Sequence, residues 1–254
     1  MTDVLLQETV DRVRILTLNR PEARNSLSPE LVVELYDELV EADADPSVSV
    51  VVLTGTDPAF CAGVDLKAAA VDPKGYFRLF DDKDCIAQVS RVRKPVIGAV
   101  NGATFTGGLE IALGCDFLFA SDRAYFADTH GRVGIFPGGG MTARLPSAIG
   151  VRRAREMSMT GDIVDAHDAE RIGLVNDVVP HAALLDRAMR AARAASELDP
   201  DMTMELKRVY AAGFEQALEL ERLTARQWGT AHNQDGLAGR RDAVMARNRG
   251  QIGQ

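Results

Sequence analysis

The sequence predicts an α/β fold with buried strands, and three observations favour this fold class. Strand-like and helix-like segments alternate between residues 48 and 120, as expected when helices cover a sheet. The strand-like segments 48–53 and 95–100 are almost wholly apolar, which is typical of strands inside a core. After about Gly140 the pattern becomes almost wholly helical, so we expect sheet first and helices afterwards.

The remaining elements of the first half follow from local signals. Alternating β-prone residues around a central turn predict a hairpin over residues 4–19. The motif Ser-Pro-Glu at 28–30 supplies an N-cap, a proline at the first helical position and an acid in the first turn. It predicts a helix that ends near residue 44. Two further strands are expected at 116–120 and 124–127.

The pattern of apolar residues in the second half of the sequence divides the chain into two regions. Apolar residues recur at helical spacing along 185–195 and again along 202–214, and Pro200 separates the two stripes. We therefore expect a core over residues 1–196. Residues 197–254 form a C-terminal helical region that packs on the core or on a neighbouring chain.

Composition excludes several classes of function. The chain has 254 residues, and its net charge of -8 argues against binding nucleic acid or an anionic membrane, since either needs a basic face. The 3 cysteines form no CxxC pair, so neither a disulfide framework nor a zinc site is indicated. We find no signal peptide and no apolar run of membrane-spanning length, and we expect a cytoplasmic protein.

Two glycine-rich strand-to-helix junctions resemble one another. They are VVLTGTDPAFCAGVDLKAA (51–69) and PVIGAVNGATFTGGLEIAL (95–113). Glycine lets a backbone approach a ligand, and the first N–H groups of a helix lack intrahelical partners. Two such bends side by side would form an oxyanion hole, although each alone is also a common connector. Neither spells the GxGxxG of a dinucleotide site.

Glu110 is a charged residue in the otherwise apolar second junction. A buried carboxylate is costly unless it is paired, hydrogen-bonded or neutralised. Glu110 is therefore either retained for chemistry or a surface acid that favours its own helix start. At a helix start, the dipole and the unpaired N–H groups are expected to keep it ionised.

Five motifs together resemble the crotonase, or enoyl-CoA hydratase/isomerase, superfamily. In chain order they are NRPEARNSL (19–27), VVLTGTDPAFCAGVDL (51–66), KPVIGAVNGATFTGGLEIALGCD (94–116), VGIFPGGGMTARLP (133–146) and TGDIVDAHDAERIGLVNDVVP (160–180). The resemblance implies a crotonase-like spiral of ββα repeats with a C-terminal helical subdomain at 197–254 that mediates trimerisation. It also implies an acyl-CoA site in the core and assembly as a homotrimer or homohexamer.

The resemblance assigns roles to individual positions. The backbone N–H groups of Val64 and Gly107 match the oxyanion-hole donors, and Glu110 matches the first catalytic glutamate. Thr106 departs from the pattern, since a third glycine is common there. No metal and no redox cofactor is implied, because coenzyme A belongs to the substrate. The positions that match the lining of the coenzyme A path are Ala23, Arg24, Ala62, Asp65 and Leu66.

A second departure concerns the second family glutamate. Members of the family usually have the motif F-G-x-P-E, whereas this chain has F-A-D-T-H, so His130 occupies the glutamate position. An imidazole near neutral pH can act as an acid or a base. On an extended segment Asp128 would share a face with His130 and orient its ring, but Asp128 could equally cap nearby N–H groups in a solvent-side turn.

Three functions remain open at this point. The leading one is an enoyl-CoA hydratase-like lyase, in which Glu110 activates water and Glu110 or His130 protonates the α-carbon. The second is an enoyl-CoA isomerase or an acyl-CoA hydrolase on the same scaffold. The third is an acyl-CoA-binding protein with little turnover.

Overall fold

The computed structural model describes residues 3–231 and 237–252. The strands are β1 (Leu5–Val10), β2 (Val13–Leu18), β3 (Val50–Gly55), β4 (Ala59–Cys61), β5 (Val96–Val100), β6 (Ala103–Phe105), β7 (Phe117–Ser121), β8 (Tyr125–Ala127), β9 (Val164–Asp165) and β10 (Asp177–Val179). The α-helices are α1 (Pro29–Ala44), α2 (Leu66–Val71), α3 (Pro73–Asp82), α4 (Cys85–Arg91), α5 (Gly107–Gly114), α6 (His130–Val133), α7 (Met141–Ile149), α8 (Val151–Thr160), α9 (Ala166–Arg171), α10 (Leu184–Ser196), α11 (Pro200–Ala211), α12 (Glu215–Ala231) and α13 (Leu237–Ile252).

The strands form a larger and a smaller sheet. The larger has the order β1-β2-β3-β5-β7-β10, and the smaller has the order β4-β6-β8-β9. The predicted hairpin is confirmed, because β1 and β2 pair antiparallel with Leu5 opposite Leu18. From β2 to β10 the larger sheet is parallel. In the smaller sheet β4, β6 and β8 are parallel, and β9 runs antiparallel to β8.

The chain alternates between the two sheets in a repeated ββα pattern. The triplets β3-β4-α2, β5-β6-α5 and β7-β8-α6 each place one strand in the larger sheet, the next in the smaller sheet, and then a helix. The predicted crotonase-like spiral is therefore confirmed. Since β4, β6 and β8 are parallel neighbours, the segments that follow them meet at one edge of the smaller sheet. This topology brings the two glycine-rich bends beside His130.

Helices cover the larger sheet on both faces. On one face, α1 contributes the fully buried side chains of Leu31, Leu35 and Leu39. The N-cap of α1 is Ser28, whose hydroxyl accepts a hydrogen bond from Leu31 N. On the other face, α10 packs its apolar stripe, including Ala188, against strands β2, β3, β5 and β7. Each fully buried leucine stabilises the fold by about 1.5–3 kcal/mol, so this core fixes the spiral.

The expected helical character after Gly140 is confirmed by helices α7 to α13, but two short strands that the sequence did not predict, β9 and β10, interrupt it. These strands contain 2 and 3 residues, which is too short for a periodic signal in the sequence. They exist through pairing with β8 and β7, which are distant along the chain. Long-range pairing of this kind overrides local propensity.

The C-terminal helices α11, α12 and α13 follow Pro200 as the sequence predicts, and the described part of this region contains no strand. Several large apolar side chains of α11 face outward, including Met202 at 60% and Tyr210 at 81% exposure. Apolar side chains at such exposure favour a partner surface. Among the described residues, no helix is long and apolar enough to span a membrane.

Candidate active site

The two glycine-rich bends lie in direct contact. Gly63, in the first bend, has φ of +87°, and a methyl group on its Cα would come within 3.0 Å of Gly107 N. A methyl group on Gly108 would come within 2.1 Å of Cys61 O, so only glycine allows this approach. Thr106 adopts a positive φ of 48°, the conformation that the missing third glycine would favour. The substitution of threonine for glycine therefore leaves the bend intact.

The amides of Val64 and Gly107 are available as donors. Neither nitrogen donates a hydrogen bond to another residue of the described chain. The neighbouring groups are engaged instead, since Leu27 N donates to Gly63 O and Glu110 N donates to Thr106 O. Gly107 is the first residue of α5, where N–H groups have no partner within the helix. The contact between Gly63 and Gly107 brings these two donors to one place.

Glu110 is 2% exposed and projects from α5 toward the N-terminus of α7. Its Oε1 atom accepts hydrogen bonds from Gly139 N at 2.8 Å and from Met141 N at 3.3 Å. Burial raises the pKa of Glu110 to about 7, although the charge of His130 and the Gly139 amide oppose this rise. Desolvation therefore outweighs the effect expected of its own helix start, and Glu110 ionises near neutral pH rather than in the usual acidic range.

His130 lies opposite Glu110, and Asp128 lies behind it. The His130 Nε2 atom is 3.6 Å from Glu110 Oε2, while Nδ1 is 2.7 Å from Asp128 Oδ1. Burial lowers the pKa of His130, but the carboxylates of Glu110 and Asp128 raise it more, so it lies above the usual value. Burial raises the pKa of Asp128, but the hydrogen bond and charge of His130 lower it more.

Asp128 performs both of the functions that the sequence left open. It contacts the ring of His130, and it also accepts a hydrogen bond from His130 N at the start of α6. The segment is a helix start rather than an extended strand, and Asp128 is 1% exposed, so a solvent-side turn is excluded. Because Asp128 is bound to Nδ1, Nε2 is the nitrogen that faces Glu110.

A cavity of about 470 Å³ opens in front of this pair. Val64, Glu110 and His130 all line it. Helices α3 and α12 also contribute to its wall, and several of the lining side chains are aromatic. An apolar cavity with a few converging polar groups is typical of a small-molecule site. The aromatic residues that line the cavity are Phe77, Phe80, Phe136 and Trp228.

Comparison with known proteins gives the family. A family model described as Enoyl-CoA hydratase/isomerase matches residues 8–235. A curated relative from Arabidopsis thaliana, "Probable enoyl-CoA hydratase 1, peroxisomal", is 40% identical over 214 residues, which cover 83% of this chain and 80% of the relative. The chain belongs to the enoyl-CoA hydratase/isomerase family. The predicted membership of the crotonase superfamily is confirmed.

Solved structures of this family agree with the fold. The crystal structure of an enoyl-CoA hydratase from Mycobacterium smegmatis is 45% identical, with a TM-score of 0.79 over 91% of this chain and 100% of that chain. A monofunctional enoyl-CoA isomerase from the same species is 35% identical, with a TM-score of 0.74 over 88% of this chain and 100% of that chain. Family membership confirms that this chain is an enzyme of the enoyl-CoA hydratase type. Enzymes of this family act on acyl-CoA thioesters.

The positions that the family resemblance assigns to the coenzyme A path lie beside the first bend. Ala23 ends a short 3-10 helix, and Arg24 O accepts a hydrogen bond from Ala62 N at 3.0 Å. Asp65 caps α2, and its Oδ2 atom accepts a hydrogen bond from Arg20 at 2.9 Å. Leu66, the first residue of α2, is half-buried. The structure brings these residues together next to Val64, although the lining of the 470 Å³ cavity does not include them.

Sequence reasoning missed the contribution of α12. The cavity therefore extends beyond residue 196 into the C-terminal region, where Arg222, Ala225, Arg226 and Trp228 of this helix line it. It also missed Glu221, a carboxylate that is 2% exposed. The sequence carries no local signal for it, because Glu221 stands in a helix with other acidic residues and reads as a solvated face.

Proposed function

We propose that this enzyme is an enoyl-CoA hydratase that adds water across the α,β double bond of an enoyl-CoA to give a 3-hydroxyacyl-CoA. The observation that carries the proposal is the pair of Glu110 and His130, which face each other across 3.6 Å at the wall of the cavity. Hydration needs one group to take a proton from water and another to give a proton to the α-carbon. The pair provides both groups beside two unengaged amides.

The amides of Val64 and Gly107 stabilise the enolate. When hydroxide adds to the β-carbon, the electron pair of the double bond moves toward the thioester carbonyl, whose oxygen becomes negative. Preorganised N–H donors at that oxygen lower the barrier, and removing one such donor typically costs roughly 10²- to 10³-fold in kcat. The unengaged state of both amides supports this role.

Proton transfer is assigned to the facing pair. The Glu110 carboxylate takes a proton from the attacking water as its oxygen bonds to the β-carbon. The imidazolium of His130 gives its Nε2 proton to the α-carbon, which completes the product. A proton then passes from Glu110 to His130 and restores the starting state. The raised pKa of Glu110, about 7, and the raised pKa of His130 support a single shared proton near neutral pH.

Asp128 orients the imidazole and stabilises its charged form. Its contact with Nδ1 directs Nε2 toward Glu110, and its negative charge favours the imidazolium that acts as the acid. This role is similar to that of the carboxylate that orients a catalytic histidine elsewhere. The aspartate thus supports the histidine that replaces the second family glutamate.

The proposal needs no metal and no redox cofactor, since amide donors and the acid–base pair supply all the chemistry. Coenzyme A enters as part of the substrate. We assign its binding to the loops that carry Ala23, Arg24, Ala62, Asp65 and Leu66, which lie against the oxyanion bend. The exposed apolar side chains of α11 support the further proposal of a homotrimer or homohexamer.

The test is hydration of trans-2-enoyl-CoA thioesters of short, medium and long chain. The conjugated thioester absorbance is expected to fall, and mass spectrometry should show the gain of one water. Glu110→Gln should reduce kcat roughly 10²- to 10⁴-fold, because the amide cannot act as the base. The matched control is Glu8→Gln on the exposed face of β1. Release of free coenzyme A would favour a hydrolase, and binding without conversion would favour a carrier protein.

Isomerisation is a second candidate, favoured by the likeness to the monofunctional isomerase. Moving a double bond needs one group to carry a proton between two carbons, and Glu110 could do this beside the same amides. A 3-enoyl-CoA substrate separates the two reactions. Conversion to the 2-enoyl isomer without addition of water would replace the hydratase proposal.

A further inference from the structure

Glu221 in α12 is a buried carboxylate that the proposed reaction does not use. It is 2% exposed and accepts hydrogen bonds from Gly140 N and from both the amide and the hydroxyl of Thr142. These groups form the N-terminus of α7, whose N-cap is Gly140. Glu221 thus supplies the capping acceptor that glycine lacks.

Glu221 and Glu110 bind alternate amides of one short turn. Gly139 N and Met141 N donate to Glu110, while Gly140 N and Thr142 N donate to Glu221. One carboxylate comes from α5 in the core and the other comes from α12 in the C-terminal region. Any displacement of the turn from Glu221 therefore also moves the amides that hold Glu110.

We propose that Glu221 is a positioning residue, through which the C-terminal helix α12 holds the 139–142 turn and thereby fixes Glu110 for proton transfer. This inference rests on the proposed hydratase function. Glu221 contacts neither His130 nor the amides of the oxyanion bends, so it acts only through the turn and through its charge. The C-terminal region is then part of the catalytic apparatus within a single chain, in addition to any contact with a neighbour.

Charged groups surround Glu110 from several elements. His130 on α6 lowers the pKa of Glu110, whereas Glu221 on α12 and Asp128 before α6 raise it. Arg144 on α7 also interacts with both glutamates. Removing the charge of Glu221 alone should therefore lower the pKa of Glu110, and it should also lower that of His130, which Glu221 raises.

The test compares Glu221→Gln with Glu219→Gln, an exposed position on the same helix. Glutamine keeps the size of the side chain but offers one acceptor oxygen, so one of the two amides loses its partner. We expect kcat with enoyl-CoA to fall about tenfold, while KM stays nearly unchanged. A tenfold change corresponds in free energy to a shift of one pKa unit. The acid limb of the pH–rate profile should move to lower pH.

A second readout does not depend on turnover. In protein carrying ¹³C-carboxyl glutamate, the NMR resonance of Glu110 is identified by its absence in Glu110→Gln, and its titration is then followed. Its midpoint should move to lower pH in Glu221→Gln and remain unchanged in Glu219→Gln. An unchanged midpoint and an unchanged kcat would overturn the proposal. The NMR result stands even if the wild type proves not to hydrate enoyl-CoA, so the two failures are distinguishable.

A further variant covers the case in which Glu221→Gln fails to fold. Thr142→Val removes one donor to the Glu221 carboxylate and retains both glutamates and all four amides of the turn. A fall in kcat with KM unchanged would support the positioning role. The Glu110 titration should stay as in wild type, because the charge of Glu221 is retained, and wild-type kcat in folded Thr142→Val would overturn the proposal.

Discussion

Two histidine–aspartate pairs of this protein differ in their surroundings. His130 Nδ1 lies 2.7 Å from Asp128 Oδ1, and His130 is 6% exposed. His181 Nε2 lies 2.9 Å from Oδ2 of Asp57, which is exposed, and His181 Nδ1 lies 2.9 Å from Ser121 Oγ. The ring of His130 faces a further carboxylate, that of Glu110, at 3.6 Å across the cavity wall, whereas Asp122 accepts a hydrogen bond from the backbone amide of His181. The second pair joins the turn after β3 to the segment after β10.

The comparison shows that the environment, rather than the residue types, makes a histidine useful for chemistry. Around His130, burial and two carboxylates set the proton affinity of the ring and leave Nε2 facing a reactive space. Both ring nitrogens of His181 are already occupied by Ser121 and Asp57, so neither is available to a substrate. The second pair is a surface contact, and such contacts stabilise a fold by about 0.2–1 kcal/mol.

The largest expected difference concerns the two histidines. His130→Gln should reduce kcat for hydration roughly 10²- to 10⁴-fold, since glutamine cannot donate a proton to the α-carbon. His181→Gln should leave kcat within about twofold, because it lies outside the cavity lining. Steady-state assays of both variants with the same enoyl-CoA measure this difference.

Equal losses in the two variants would contradict the comparison. Thermal unfolding of each variant provides the control, because a fall in activity that follows a loss of folded protein carries no information on proton transfer. Binding of acyl-CoA to His130→Gln should be retained, since the amides of Val64 and Gly107 and the loops proposed to bind coenzyme A are untouched.

The next effect concerns the two aspartates. Asp128→Asn removes a charge that raises the pKa of His130, so a smaller fraction of His130 is imidazolium at a given pH. The alkaline limb of the pH–rate profile should therefore move to lower pH, and kcat at pH 8 should fall about tenfold for one pKa unit. Asp57→Asn should leave the profile in place. An alkaline limb at the wild-type pH in Asp128→Asn would show that His130 is not the acid.

The sequence predicted the fold and the arrangement of the bends well, for identifiable reasons. Long apolar strands such as β3 and β5 carry strong local signals, and the N-cap at Ser28 marks the start of α1. The convergence of Val64 and Gly107 followed from the family motifs, and the pairing of β4 with β6 provides its physical cause. The short strands β9 and β10 carried no such signal.

The charge state of the site could not be predicted from local sequence. The first-turn position of Glu110 indicated ionisation, yet its burial, together with the charges of His130 on α6 and Glu221 on α12, determines its pKa. Likewise, Glu221 stands 111 positions away in sequence and meets Glu110 only through the 139–142 turn. Interactions that depend on several distant elements become visible only when the tertiary structure is known.

The smallest expected effect is on the free energy of unfolding. Its sign differs between Glu110 in the buried cluster and Asp57 in the exposed histidine–aspartate pair. The pKa of Glu110 is raised from 4.5 to about 7, so the folded state binds this proton more tightly than the unfolded state. Above pH 7 ionised Glu110 therefore destabilises the fold, and below about pH 4.5 this penalty is absent. Glu110→Gln should raise the free energy of unfolding at pH 8 by about 1–2 kcal/mol, and the gain should shrink as the pH falls.

Asp57 is expected to show the opposite sign. Burial raises its pKa, but hydrogen bonds from Asn101 and His181 lower it more, so its charge stabilises the fold above its unfolded pKa. Asp57→Asn should therefore lower the free energy of unfolding at pH 8, by no more than about 1 kcal/mol for an exposed contact. Urea titrations at pH 5 and pH 8, followed by circular dichroism, measure both variants against wild type. If Glu110→Gln were no more stable than wild type at pH 8, ionisation of the buried Glu110 carboxylate would not destabilise the fold. The shared proton of the Glu110–His130 pair would then have to be assigned differently.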